Sequence, residues 1–223
     1  MIIGNGLVAK SFKKKSNFFK NVIIFASGLA DSKNKNSNQF QREEKLLKKY
    51  LKIKKKKLIY FSTLDVLRSK KTPYIRHKIN IEKILINEKN TLIVRLPQLI
   101  GNSNNKKTLF NFLVSNLRTN NKIKIFINYY RNFIDVSDLV LLIKNLNKKK
   151  INFKILNIYN KKSIKVKYLL NFFKKNKIIN NKIYRLDKTK DNFFQKTLKF
   201  CKNEHIMINK KNYYKKLFKK YIK

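Results

Sequence analysis

The chain has 223 residues, of which 43% are hydrophobic. That is enough apolar material for a substantial domain with its own core, and it excludes a disulfide-stapled miniprotein and a wholly disordered chain. Lysine and arginine number 56 against 11 aspartates and glutamates, a formal net charge of +45, while the longest apolar stretches, such as Val22–Ala26, fall far short of the roughly 18 residues a membrane span requires.

Such a charge ordinarily points to a nucleic acid or an anionic membrane. Here the excess is almost all lysine, with arginine only at positions 42, 68, 76, 95, 118, 131 and 185. Lys, Asn, Ile and Phe, all abundant, share A/T-rich codons, so genomic base composition accounts for the pattern. Dedicated nucleic-acid surfaces recruit arginine for its bidentate geometry. No specific nucleic-acid partner is expected, and an RNA- or membrane-binding role rests on charge alone. The residues that resist the bias are informative: four glycines (Gly4, Gly6, Gly28, Gly101) and two prolines (Pro73, Pro97). The single cysteine, Cys201, excludes an internal disulfide and suggests a reducing compartment. His77 and His205 lie far apart with no second cysteine or acidic cluster beside them, so no metal site is expected. The lysines follow Met1-Ile2-Ile3, the reverse of a signal-peptide order, and a cytoplasmic location is expected.

In chain order, apolar runs predict strands at Met1–Ile3, Asn21–Ser27, Lys57–Phe61, Thr91–Leu96, Lys122–Ile127 and Asn152–Ile158. Helical periods predict helices at Leu7–Lys15, Gln41–Ile53, Pro73–Asn87, Leu109–Arg118, Val136–Leu146 and Val166–Lys174. Continuous apolar strands alternating with helices indicate an α/β, doubly wound parallel sheet covered on both faces. Residues 1–150 read as a Rossmann-like domain and 151–223 as the last strand and helix with a small C-terminal lobe, without a sharp boundary. The tail Asn212–Lys223 puts Tyr213, Tyr214, Leu217, Phe218 and Tyr221 on one helical face. It reads as a helix packed on the body, with an anionic-surface helix as the alternative.

Three groups of residues can carry chemistry. Gly4-Asn5-Gly6-Leu7-Val8-Ala9 is a G-x-G-x-x-A pattern between a strand and a helix: the first glycine permits a tight turn, the second lets a phosphate approach the backbone, and the helix start offers N–H groups to a pyrophosphate. Thr72 and Pro73 read as the cap and first residue of a helix on which Tyr74 and Lys78, four apart, share a face. A nearby ammonium is expected to lower the phenol's pKa from its usual value near 10, suiting Tyr74 to proton transfer. Tyr60-Phe61-Ser62-Thr63 places hydroxyls at the carboxyl end of a strand, where open α/β sheets bind ligands.

Together these segments resemble the extended short-chain dehydrogenase/reductase superfamily, in particular the NAD-dependent epimerase/dehydratase family of nucleotide-sugar enzymes. The likeness covers roughly residues 1–175. Met1–Ala9 is similar to the family's glycine-rich start, and Val22–Gly28 to its central strand and cofactor-contacting turn. Leu58–Thr63 resembles the strand bearing the catalytic Ser/Thr, and Thr72–Lys78 resembles P-Y-x-x-S-K with His77 replacing a small residue. Arg95–Gly101, Arg131–Asp138 and Leu156–Ile164 resemble later segments. The resemblance implies Tyr74, Lys78 and Thr63 as catalytic residues, with Lys78 also on the nicotinamide ribose. It implies Gly4, Asn5, Gly6, Leu7, Val8, Ala26, Ser27, Gly28, Tyr74, Lys78 and Pro97 as contacts of NAD or NADP, and Asn102 and Arg131 as contacts of a nucleotide-sugar substrate. It also implies a homodimer paired through Gln41–Ile53 and Pro73–Asn87, with Leu46, Leu47, Ile81, Ile84 and Leu85 as apolar contacts.

The departures narrow the expectation. Only Ser11–Asn21 separate the glycine loop from the second strand, where the family places about two further strand–helix units, one ending in the acid that binds the adenosine ribose. The adenine side is therefore shortened, and no residue is nominated to choose NAD or NADP. Dehydratases of the family carry an Asp-Glu pair after the catalytic Thr; this chain has Leu64-Asp65, which disfavours dehydration. The expected activity is an NAD(P)-dependent epimerase or keto-reductase of a nucleotide-activated sugar, in surface polysaccharide synthesis. The alternative is a non-catalytic NAD(P)-binding regulator of the same fold.

Overall fold

A computed structural model describes residues 1–103, 105–106, 108–119, 123–149, 153–176, 184–196 and 204–222. Cys201 and the expected strand starts at Lys122 and Asn152 lie outside the described residues. The strands are β1 (Ile2–Ile3), β2 (Val22–Phe25), β3 (Lys57–Thr63), β4 (Thr91–Leu96), β5 (Gln98–Ile100), β6 (Ile123–Arg131), β7 (Phe133–Asp135), β8 (Ile155–Asn160), β9 (Ile164–Lys165), β10 (Tyr184–Asp191) and β11 (Glu204–Ile208). The α-helices are α1 (Leu7–Lys13), α2 (Ser37–Leu51), α3 (Pro73–Ile86), α4 (Leu109–Leu117), α5 (Val136–Lys148), α6 (Val166–Lys175), α7 (Phe193–Lys196) and α8 (Tyr213–Tyr221), and a 3-10 turn, Leu64–Leu67, follows β3. The chain divides into two compact units that are discontinuous in sequence, where the sequence reading cut it once near residue 150. One comprises Met1–Leu96, Asp135–Ile158 and Asn203–Ile206, the other Pro97–Ile134, Tyr159–Lys202 and Met207–Lys223.

The first unit is built on a six-stranded sheet of order β1-β2-β3-β4-β8-β11. Its pairs β1–β2, β2–β3, β3–β4 and β4–β8 are parallel, as the alternation of apolar runs and helices predicts. Alternate residues face opposite sides of a strand. Ile23, Phe25, Leu58, Tyr60 and Ile93 accordingly share one core with Leu47 of α2 and Ile81 and Leu85 of α3. On the other side Phe61 meets Phe12 of α1, ring centroids 5.5 Å apart. Both faces of the sheet are thus covered, which is why its strands read as unbroken apolar runs. Burying each such side chain stabilises the fold by about 1.5–3 kcal/mol.

Local chemistry sets the helix starts. The Thr72 side chain accepts from Ile75 N–H with Pro73 in the first turn of α3, and the Asp135 side chain accepts from Ser137 N–H to start α5. The α2 helix begins at Ser37, four residues before its expected start, because Asn36 caps it by accepting from the N–H groups of Asn38 and Gln39.

The second unit contains a three-stranded sheet β10-β6-β9. Its β6 strand, expected from sequence as Lys122–Ile127, pairs parallel with β10 and antiparallel with β9, outside the six-stranded sheet. The α8 helix buries Tyr213, Tyr214, Leu217 and Phe218, with Phe218 stacked on Phe110 at 5.7 Å and edge-on to Phe133 at 5.9 Å. The packed reading of the tail therefore holds over the anionic-surface alternative. Among the described residues no helix is long and apolar enough to cross a membrane.

Candidate active site

Strands β1, β2 and β3 lie side by side in parallel, so their carboxyl ends bring the glycine loop, the Ala26–Gly28 turn and Thr63 to one edge of the sheet. Gly4 has φ +116°, and a Cβ there would fall 2.3 Å from the Ala26 carbonyl oxygen. Only glycine fits that contact. Gly6 caps α1 with no side-chain hydrogen bond, and a Cβ there would meet nothing within 4 Å. Gly6 thus leaves open backbone at the loop, while Gly4 packs against the Ala26–Ser27 backbone. Asn5 is exposed and accepts from Lys13 Nζ at 3.2 Å; Leu7 and Val8 are half-buried on α1. At the β2 turn, the Ser27 carbonyl accepts from Arg42 Nη2 at 3.0 Å, and Ala26 is half-buried.

Gly28 touches the catalytic candidates. A Cβ on it would lie 2.9 Å from both Lys78 Nζ and Glu43 Oε1. Lys78, buried on α3, donates to Glu43 Oε1 at 2.8 Å and to the Tyr60 hydroxyl at 2.8 Å. Tyr60 in turn donates to Glu43 Oε1 at 2.6 Å, Leu29 N–H donates to Oε2 at 2.8 Å, and His77 Nε2 lies 3.1 Å from Oε2. His77 is also stacked on Phe40, ring centroids 4.6 Å apart. One fully buried carboxylate therefore ties together the β2 turn, β3, α2 and α3. Burial by itself would raise the Glu43 carboxyl; the Lys78 charge and the hydrogen bonds from His77, Lys78 and Tyr60 outweigh it and hold the group well below the usual carboxylate range.

This corrects the expected coupling of Tyr74 to Lys78. The ammonium lies over the Tyr74 ring, 5.7 Å from its centroid, while its hydrogen bonds go to Glu43 and Tyr60. Burial, followed by the Glu43, Asp65 and Asp31 carboxylates, pushes the Tyr74 phenol well above its ordinary value, opposite to the sequence expectation. Thr63 Oγ1 accepts from Asp65 N–H at 3.1 Å and caps the turn after β3. Asp65 pairs with Arg68 Nε at 2.5 Å, and Leu64 is fully buried.

A second buried cluster lies beside the first. Ser62 donates to Glu82 Oε1 at 2.5 Å, and Arg95 binds Glu82 through Nε at 3.1 Å and Nη2 at 2.5 Å. Glu43 and Glu82 were missed in the sequence, although acids, 11 in 223 residues, are scarce enough that the survivors carry the same signal as the glycines. Pro97, Asn102 and Arg131 belong to the second unit. There Pro97 is buried, Asn102 is exposed, and Arg131 Nη1 donates to Asp191 Oδ2 at 3.1 Å. Among the described residues no group of three His, Cys, Asp or Glu side chains could hold a metal ion.

The residues named for homodimer contacts are otherwise engaged. Leu47, Ile81 and Leu85 lie in the core, and Leu46 and Ile84 pack against it.

Fold and site geometry define a Rossmann-like α/β protein. The RMD structure from Pseudomonas aeruginosa, complexed with NADPH, superposes with a TM-score of 0.69 at 12% identity, covering 99% of this chain and 93% of that one. UDP-N-acetylglucosamine 4-epimerase from Methanobrevibacter ruminantium M1, in complex with UDP-N-acetylmuramic acid, gives 0.65 at 14% identity over 91% and 76% of the two chains. UDP-glucuronic acid 4-epimerase from Bacillus cereus, in complex with NAD, gives 0.62 at 17% identity over 83% and 67%. At these identities the likeness is one of fold. No protein-family profile and no curated protein sequence matches the chain.

Proposed function

We propose that the chain binds NAD or NADP and transfers hydride to or from a nucleotide-activated sugar, as an epimerase or keto-reductase in the cytoplasm that serves surface polysaccharide synthesis. The observation that carries this reading is the convergence of Lys78 on Gly28 beneath the carboxyl ends of β1–β3. Gly4, Asn5, Gly6, Leu7 and Val8 would hold the pyrophosphate, and Ala26, Ser27 and Gly28 the adjoining ribose; Pro97 completes the proposed cofactor contacts. Bound there, the nicotinamide supplies or accepts the hydride. Lys78 uses two of its three N–H donors on Glu43 and Tyr60, which leaves one for a ribose hydroxyl. Tyr74 exchanges the proton with the reacting oxygen and Thr63 orients that oxygen; Asn102 and Arg131, the residues nominated for the substrate, belong to the second unit.

Dehydration is disfavoured, because the position after Thr63 holds a buried leucine, Leu64, where a dehydratase has an acid, and Asp65 is held by Arg68. The fit is to the nicotinamide half of the cofactor. The sheet order begins at β1, so among the described residues no strand occupies the place where a dinucleotide fold seats adenosine. Titration with NADH and NADPH, followed by nicotinamide fluorescence, tests the reading; no change with either at millimolar concentration overturns it.

The non-catalytic regulator is the second reading, and the engagement of Lys78 by Glu43 favours it. A homodimer paired through α2 and α3 would have to use their exposed faces, which carry Lys45, Lys48, Lys49, Arg76 and Lys83. Repulsion there is relieved as the Debye length falls to about 8 Å at 0.15 M salt. Sedimentation at that salt and micromolar protein distinguishes dimer from monomer.

A further inference from the structure

Resting on the proposed hydride-transfer reading, we infer that Glu43 is a positioning residue that takes the charge of Lys78 away from Tyr74 and holds Tyr74 as the neutral phenol.

The geometry carries this. A lysine that activates a neighbouring phenol does so by stabilising the phenolate. Here the ammonium is 2.8 Å from a buried carboxylate oxygen and 2.8 Å from the hydroxyl of a different tyrosine, Tyr60. The Tyr74 hydroxyl makes no hydrogen bond among the described residues, and Lys78 meets only the face of its ring. Glu43 is fixed from every side: Leu29 N–H after β2, Tyr60 on β3, and His77 and Lys78 on α3. It cannot turn away from Lys78 without breaking several of these bonds. The charged groups that act on Tyr74 are Glu43, Asp65 and Asp31 on one side and Lys78 on the other. Glu43 cancels Lys78, so the remaining field opposes phenolate formation.

His77 belongs to the same device. It stands where the resembled motif has a small residue, and its Nε2 faces Glu43.

The test reads Tyr74 without cofactor or substrate. The full chain is labelled with ¹³Cζ-tyrosine, Tyr74→Phe assigns the Tyr74 signal, and pH is raised. In the unsubstituted protein the signal should remain that of the phenol beyond the ordinary midpoint near pH 10. In Glu43→Gln the midpoint should fall by about one pH unit or more. In Glu43→Gln/Lys78→Met, which removes both charges, it should return to within about half a unit of the unsubstituted protein. A Tyr74 midpoint at or below the ordinary value, or a double variant well displaced from the unsubstituted protein, overturns the inference; so does an unmoved midpoint in folded Glu43→Gln. Because this titration needs no dinucleotide, it can succeed or fail independently of the fluorescence result that tests the hydride-transfer reading.

Discussion

Glu43 and His77 stand 34 residues apart in sequence, yet Glu43 Oε2 and His77 Nε2 are 3.1 Å apart, both buried. This contact binds α2 to α3 next to Lys78. A Cβ on Gly28 would fall 2.9 Å from both Glu43 Oε1 and Lys78 Nζ, so a side chain there would displace that pair.

The pH dependence of stability follows. The Glu43 carboxyl sits lower in the folded chain than its ordinary 4.5, so its contribution is complete above about that pH and is lost as pH falls from it toward the folded value. Urea midpoints measured from pH 7 to pH 3 should show the unsubstituted protein far above Glu43→Gln at pH 7. The gap should narrow below about pH 4.5; a gap that stays constant contradicts the assignment.

The two loop glycines should behave differently. Gly4→Ala forces a Cβ against the Ala26 carbonyl at a backbone angle that side chains rarely adopt, and is expected to destabilise the fold by several kcal/mol, in the range of about 3–5. Gly6→Val meets no neighbour and should cost about 1 kcal/mol or less, while abolishing dinucleotide binding because the branch fills the phosphate's space. Thermal unfolding and NADH fluorescence on both variants check this.

For Glu82 and Arg95, removing one member strands a buried charge. Arg95→Met alone should destabilise by about 3–5 kcal/mol, whereas Glu82→Leu/Arg95→Met should lose markedly less. Equal losses for the single and double variants would show that the ion pair is not the source of the effect.

Tyr74→Phe removes only a hydroxyl, so folding and cofactor binding should persist while turnover falls by about 10²–10⁴. Thr63→Val should cost about 1–3 kcal/mol of transition-state stabilisation, and the combined loss should be less than additive. Full activity in Tyr74→Phe would move the chain to the binding-only reading.

The sequence by itself determined the strand–helix alternation of the first unit. Its unbroken apolar runs, the Thr72-Pro73 cap and the surviving glycines are local features whose physics is complete within a few residues. It also marked the glycine loop, Thr63, Tyr74 and Lys78 as the residues to watch. Only the tertiary structure decided what Lys78 binds. Nothing local marks Glu43 for burial, which depends on α2 docking against β2, β3 and α3 through Leu47, Ile81 and Leu85. The same docking turned those leucines and isoleucine inward, away from a subunit interface. The pairing of β6 with β10, separated by some sixty residues, likewise has no local signature. Side-chain charge is visible in a sequence, but its effect on a neighbouring phenol depends on which counter-charge folding brings within hydrogen-bond distance. For Tyr74, burial first and then the Glu43 carboxylate reverse the sign that the Tyr74–Lys78 spacing alone implies.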